Sequence, residues 1–273
     1  IFGDSISLVY NTRMSVHPDI VWLAAALFLY SAALYVAVFR IVKQHRAPSR
    51  IVNLLLGTGL LFHIISMVIS GHPMAILAHV LSELAVFVLI IYFIMQALGK
   101  WGALAVFIIP TVIILSLFSL LLPRDFAGVG VSNILFAIHI IVSLAGIGGI
   151  FTGMFYTFLF VMQEKALKRH DLGTWFHLIP SLSASEHFAW RSLIGGYYLY
   201  TLGILLGFLW SFISKNVWFS PNPKNLGGVA AWVVFSILVL AQHFFHVKGR
   251  RSFVFYFLGF ACILLAFSGI RLG

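Results

Sequence analysis

Eight runs of about twenty largely apolar residues, parted by short polar or glycine–proline breaks, constrain this chain more than any other feature. They lie near 19–43, 51–70, 75–98, 102–122, 131–162, 191–214, 227–247 and 252–270. A helical run of that length crosses the ~30 Å hydrocarbon core of a bilayer, because each residue adds about 1.5 Å. In hydrocarbon every backbone N–H and C=O must be paired internally, which a helix does within itself. Only 9% of the 273 residues are charged, against 62% apolar or aromatic, whereas water-soluble domains carry about a quarter charged residues. The expected fold is therefore all-α: a polytopic membrane bundle of eight transmembrane helices, forming one integral membrane domain over 1–273. Gly71-His72-Pro73, Gly99-Lys100-Trp101, Pro123-Arg124-Asp125 and Lys248-Gly249-Arg250-Arg251 fall where turns are needed. The first eighteen residues lack the basic start and apolar core of a signal peptide.

A net charge of +10 would suggest nucleic acid in a water-soluble protein. Here twelve of the seventeen lysines and arginines follow spans one, three, five and seven. They are Arg40, Lys43, Arg46 and Arg50, then Lys100, then Lys165, Lys168, Arg169 and Arg191, and finally Lys248, Arg250 and Arg251. The positive-inside rule puts these loops in the cytoplasm and both termini outside, in the inner (cytoplasmic) membrane of the cell. Membrane lipid, and no nucleic acid, is the expected partner. The longest polar stretch, near 164–190, contains Ser183-Ala184-Ser185-Glu186, which suits a capping box with Ser183 as N-cap. Cys262, the one cysteine, sits in an apolar run and reads as a packing residue, so no disulfide framework is expected. Neither a phosphate loop nor a nucleophile–base constellation is present, so no self-contained catalytic site is expected.

Eleven histidines against seven acids are many for so apolar a chain. His63, His79, His139 and His243 fall inside spans, and His72 and His246 at span ends. Ionisable groups are costly in a bilayer and tend to face a partner or a cavity, so each is a site candidate. A lone membrane histidine can equally be hydrogen-bonded to a neighbouring carbonyl; several in one small bundle favour ligation. Imidazole suits zinc, copper, iron and haem, but zinc and copper sites usually add carboxylate or sulfur at short spacing. Glu83, one turn after His79, makes a metal pair, a proton relay or a carboxylate that orients a ligating histidine. The remaining histidines are spread over separate helices, as for an axial pair clamping a flat macrocycle. By depth they form an outer group, His72, His79 and His139, and an inner one, His243 with His63 or His246. His139 falls about 12 Å and His243 about 24 Å from the external ends of their spans. Gly146-Ile147-Gly148-Gly149, Gly195-Gly196 and Gly203 with Gly207 suit close helix contact or room for a flat ligand. Arg191 and the Lys248–Arg251 cluster read first as topology determinants, with haem propionates or anionic lipid as the other use. Trp210 and Trp218 suit the membrane interface or a cavity wall equally.

From span five onward the chain resembles the cytochrome c assembly family of haem-handling membrane proteins, on the side of its CcsA-like and eight-span HemX/YpjD-like members. Ile138-His139-Ile140-Ile141-Val142-Ser143-Leu144-Ala145 resembles the family's histidine-led helix, HVxxxLLSYA. Gly203-Ile204-Leu205-Leu206-Gly207-Phe208-Leu209-Trp210 is similar to its GILSGAVWA stretch, and Trp218-Phe219-Ser220-Pro221-Asn222-Pro223-Lys224 lies where it has WNWDPKE. Ala231-Trp232-Val233-Val234-Phe235, His243 and Lys248-Gly249-Arg250-Arg251-Ser252 follow in family order. The resemblance implies haem b, one or two groups, held by histidines, and a tryptophan segment presenting haem at the outer face; together with the depth grouping, His139, His79 and His243 are the expected axial ligands. His139 matches the histidine flanking that segment, and His243 approximates the transmembrane haem histidine with an offset of about one turn. Trp218, Pro223 and Lys224 are retained from the segment. Asn222 replaces the family's aspartate, the second tryptophan is absent, and no histidine follows the last span. Haem binding or an accessory membrane role is therefore expected rather than delivery to apocytochrome c. Two other functions fit: a subunit carrying electrons from quinol to a periplasmic cytochrome, with quinone as a further cofactor, or a haem-free structural subunit of a larger complex. A partner membrane protein or c-type cytochrome is expected in the haem-handling and electron-transfer readings.

Overall fold

A computed structural model describes residues 18–43, 50–70, 77–98, 105–122, 134–170 and 181–268. Among the described residues there are eight α-helices and no strand. In chain order they are α1 (Pro18–Val42), α2 (Arg50–Ile69), α3 (Leu77–Leu98), α4 (Ala105–Leu121), α5 (Ile134–Lys168), α6 (Leu182–Lys215), α7 (Pro223–Phe245) and α8 (Arg250–Ser268). Each apolar run of the sequence thus becomes one helix. Six of them, α1, α2, α3, α5, α6 and α7, are long and apolar enough to cross a membrane. α4 is apolar but has 17 residues, and α8 has 19 and opens on Arg250-Arg251.

The helices at the centre of the fold are longer than their apolar runs. α5 has 35 residues and α6 has 34, about 50 Å each at 1.5 Å per residue, which exceeds the ~30 Å hydrocarbon core. Both therefore reach into the stretch near 164–190 that hydropathy alone assigns to a loop. The N-cap of α6 is Ser181, whose Oγ accepts the Ala184 N–H at 3.3 Å; the expected cap, Ser183, lies inside the helix. With the cap at Ser181, Glu186 is not at the capping-box position, and it forms an ion pair with Lys248 beyond α7. At its other end α6 closes on Asn216, left-handed at φ 53°, whose N–H donates to the Phe212 carbonyl at 2.8 Å. α7 starts earlier than its apolar run because Asn222 caps it, accepting the Asn225 N–H at 2.8 Å, with Pro223 preset for the first turn.

α1 pairs with α2, α3 with α4, and α7 with α8; α5 and α6 form the most intimate pair. α5 also meets α3 and α8, α6 meets α7, and α1 meets α4. The α5–α6 pair is thus the spine between the first four helices and the last two. Glycines bring its two backbones together in antiparallel register. A Cβ on Gly149 would lie 2.8 Å from the Gly196 Cα, and one on Gly146 or Gly196 would fall against the backbone of Tyr200 or Ile150. Lipid tails are as apolar as leucine, so such close packing, rather than expulsion of water, holds membrane helices together.

Gly196→Val should therefore separate α5 from α6 at a cost of about 1–3 kcal/mol, read as a lower thermal midpoint in detergent. Gly195→Ala, next to it but facing open space, should be neutral or slightly stabilising. Equal effects of the two substitutions would show that the close approach does not hold the pair.

Candidate functional site

At the end of the bundle where α5 begins and α6 ends, a cavity of about 310 Å³ opens between α5, α6 and the start of α7. That is within the ~300–1,000 Å³ range of small-molecule sites. Phe136, His139 and Ser143 line it from α5, and Gly207, Trp210 and Lys215 from α6. Trp218, Ser220 and Asn222 come from the connection, Lys224 and Asn225 from α7, and Val80 from α3. Ser211 Oγ donates to the Val217 carbonyl at 2.7 Å and Asn225 Nδ2 to the Ser220 carbonyl at 2.9 Å. These bonds fasten the Trp218 segment to the helix on either side.

His139 is half-buried in this wall, and α6 holds its ring. Its Nδ1 lies 2.7 Å from the Gly203 carbonyl oxygen, with Ser143 Oγ at 3.5 Å from the same nitrogen. A carbonyl only accepts, so Nδ1 carries the hydrogen, and in the neutral ring the lone pair is then on Nε2. This is how a backbone carbonyl orients a metal-ligating histidine. One turn along α6, Gly207 leaves the space the ring occupies: a Cβ there would lie 2.7 Å from His139 Cε1 and 3.0 Å from Nδ1. Phe136 stacks against His139 with ring centres 6.2 Å apart, and Trp210 backs Phe136 at 4.5 Å. Lys215 Nζ sits 5.5 Å above the Trp210 ring. Trp218 is exposed and stacked on Phe212 at 4.4 Å.

The structure therefore brings His139 and Trp218 to one cavity. His79 is buried on α3, next in sequence to the wall residue Val80 but about 100° round the helix from it. Among the described residues both carboxylate oxygens of Glu83 are buried without a hydrogen-bond partner, so the His79–Glu83 bond that the one-turn spacing permits is not made. His72 lies outside the described residues. His63 is fully buried, with the Tyr30 hydroxyl 3.2 Å from Nδ1 and Ser82 Oγ 2.6 Å from Nε2. Both its nitrogens are engaged in a polar link across α1, α2 and α3.

His243 and His246 line a second cavity, of about 360 Å³, at the opposite end of α7. Trp190 lies nearly parallel to His243 there, with ring centres 6.3 Å apart and planes at 14°. The Glu186–Lys248 ion pair stands in the same wall. Arg191 is exposed on α6 beside Trp190. Sequence reasoning singled out the histidines but not the residues that hold them: Tyr30 and Ser82 for His63, Trp190 for His243, and the Gly203 carbonyl for His139. The one available signal was Gly203 and Gly207, spaced one turn apart in a run otherwise made of large apolar residues.

Membrane-length helices, with a histidine-lined cavity at each end of α7, define a multi-pass membrane protein. The family described as Cytochrome C assembly protein matches residues 72–273, and the chain belongs to it. The chain is similar to Protein HemX of Bacillus subtilis (strain 168), 25% identical over 123 residues, 45% of this chain and 42% of that protein. It is also similar to the Cytochrome c biogenesis protein CcsA of Prochlorococcus marinus (strain MIT 9515), 26% identical over 83 residues, 30% of this chain and 27% of the relative. The Spinacia oleracea protein of the same name is 25% identical over 87 residues, 32% of this chain and 27% of the relative. The matches thus span less than half the length of these curated relatives. No solved structure matches the chain significantly.

Ser82→Ala removes one partner of His63 in a fully buried link and should cost about 1–3 kcal/mol. A thermal midpoint in detergent that does not move would show that His63 is not a packing residue.

Proposed function

We propose that this protein handles haem for cytochrome c biogenesis, holding one haem b in the cavity at the start of α5 with His139 Nε2 on the iron. The observation that carries the reading is the Gly203 carbonyl on His139 Nδ1, which leaves Nε2 as the basic nitrogen of a ring lining a cavity. Gly207 supports it, because any side chain there would fill the space that the imidazole needs. The bound group would supply a redox-active iron in a flat apolar ring. The chain's own residues would grip that iron through His139, face the ring with Phe136 and Trp210, and cover it from the connection with Trp218. His79, on α3 next to Val80, and His72 are the candidates for a second histidine that would hold the group.

The same reading makes the chain one membrane unit of eight spans in the inner membrane, with α4 and α8 crossing as hairpin partners of α3 and α7. Both termini and the His139 cavity would then face outward, and the Lys248–Arg251 turn the cytoplasm, as the distribution of lysine and arginine suggests. Electron transfer from quinol would need a second haem near His243 and His246. Trp190 already lies against His243, so the single outer haem is the reading adopted.

The protein purified in mild detergent from haem-replete cells should show a Soret band and reduced α-bands, and His139→Ala should lose or shift them. A wild-type spectrum without a Soret band would leave a structural subunit with hydrogen-bonded histidines. An unchanged spectrum and haem content in the alanine variant would remove His139 from the site.

A further inference from the structure

We infer that the cavity at His139 selects its ligand by two carboxylates, which Lys224 and Lys215 receive, and that Asn222 keeps this cationic wall unopposed from its own position. The inference rests on the haem reading above and names the chemical class within it: an iron porphyrin carrying free acid groups, not any flat metallated ring.

The described walls of the cavity carry two lysines and no aspartate or glutamate. Lys224 is half-buried in the first turn of α7. An ammonium group has three N–H donors, so Lys224 has capacity for a ligand carboxylate alongside whatever else it binds. Lys215 is exposed in the last turn of α6, with its charged end over the Trp210 ring. Its stem thus lies along the aromatic wall while its charge stays at the mouth. An apolar wall of Phe136 and Trp210 with cations at its rim suits an amphiphile that is apolar in its body and anionic at one edge.

Asn222 sharpens the argument. Its side chain caps α7 by accepting the Asn225 N–H, a task that aspartate performs about equally well. The negative charge of an aspartate would even be favoured at a helix N-terminus. Capping therefore does not explain an amide at this position. An aspartate here would differ in placing a negative charge in the cavity wall two residues from Lys224, where it would compete for the lysine and repel a ligand carboxylate. With asparagine the cap is kept and the competitor is absent.

The test titrates the wild-type protein, Lys224→Gln and Asn222→Asp in one detergent with haem and with haem dimethyl ester, whose two carboxylates are blocked. Binding is followed by the Soret change and folding by the thermal midpoint. Wild type should bind the free acid about a hundredfold more tightly than the diester, the scale of two hydrogen bonds between charged groups. Lys224→Gln and Asn222→Asp should each weaken the free acid about tenfold and leave the diester unchanged, with the midpoint of Asn222→Asp preserved. Comparing variants in one detergent cancels the different partitioning of the two porphyrins. Equal affinity of wild type for both porphyrins, or equal losses for both in the variants, would overturn the inference while leaving the haem reading intact. If wild type binds neither porphyrin, the haem reading fails and this inference with it.

Discussion

The close approach of α5 and α6 is the constraint on which the candidate site depends. Where Gly146, Gly149 and Gly196 meet the facing backbone, the two helices have one register, and that register carries on towards the start of α5. Ser143 then falls opposite Gly203, and His139, one turn further, opposite Gly207. The imidazole is held by main chain rather than by a cluster of side chains. In an α-helix the Gly203 carbonyl already takes the N–H of residue 207, but a carbonyl oxygen has a second lone pair, which accepts from His139. A site built on backbone atoms needs no further polar side chain at its deep end, which suits a segment placed in lipid.

The histidines show how one side chain takes on different work according to what faces its two nitrogens. His63 has a hydroxyl at each, and ties together three helices that lack a glycine contact as extensive as that of α5 and α6. His139 has a carbonyl at one nitrogen and lines a cavity, an arrangement that leaves a basic nitrogen for a ligand. His243 meets its surroundings through ring faces, with Trp190 parallel and Phe244 edge-on. Histidine content alone does not distinguish these surroundings, and hydrogen-bond accounting does.

Much of the fold was legible in the sequence because hydrophobic run length answers directly to the bilayer. The errors came where that link is weak. α5 and α6 continue past the hydrocarbon on residues such as Glu164, Lys168 and Glu186, whose polarity reads as loop but whose charges are paired, Glu164 with Lys168 at 2.6 Å and Glu186 with Lys248. The N-cap is Ser181 instead of Ser183, in a Ser-Leu-Ser run that offers two equivalent hydroxyls two residues apart. In the structure His139 and His243 line different cavities, the two groups into which depth counting divides them. The partners of His63 were not legible, since Tyr30 and Ser82 lie 33 and 19 residues away in sequence. Nor does a glycine stripe say whether it admits a backbone, as at Gly196, or a ring, as at Gly207.

The connection between α6 and α7 shows why geometry and charge can diverge within one segment. Its path is set by local bonds: the left-handed Asn216, Ser211 on the Val217 carbonyl, Asn225 on the Ser220 carbonyl and the Asn222 cap. None of these needs a second tryptophan or a carboxylate to present Trp218 at the cavity wall. The electrostatic character of that wall is set separately, by Lys215 and Lys224 among the described residues. A segment whose shape is held by caps and main-chain bonds can therefore change the charge it presents to a ligand without being refolded.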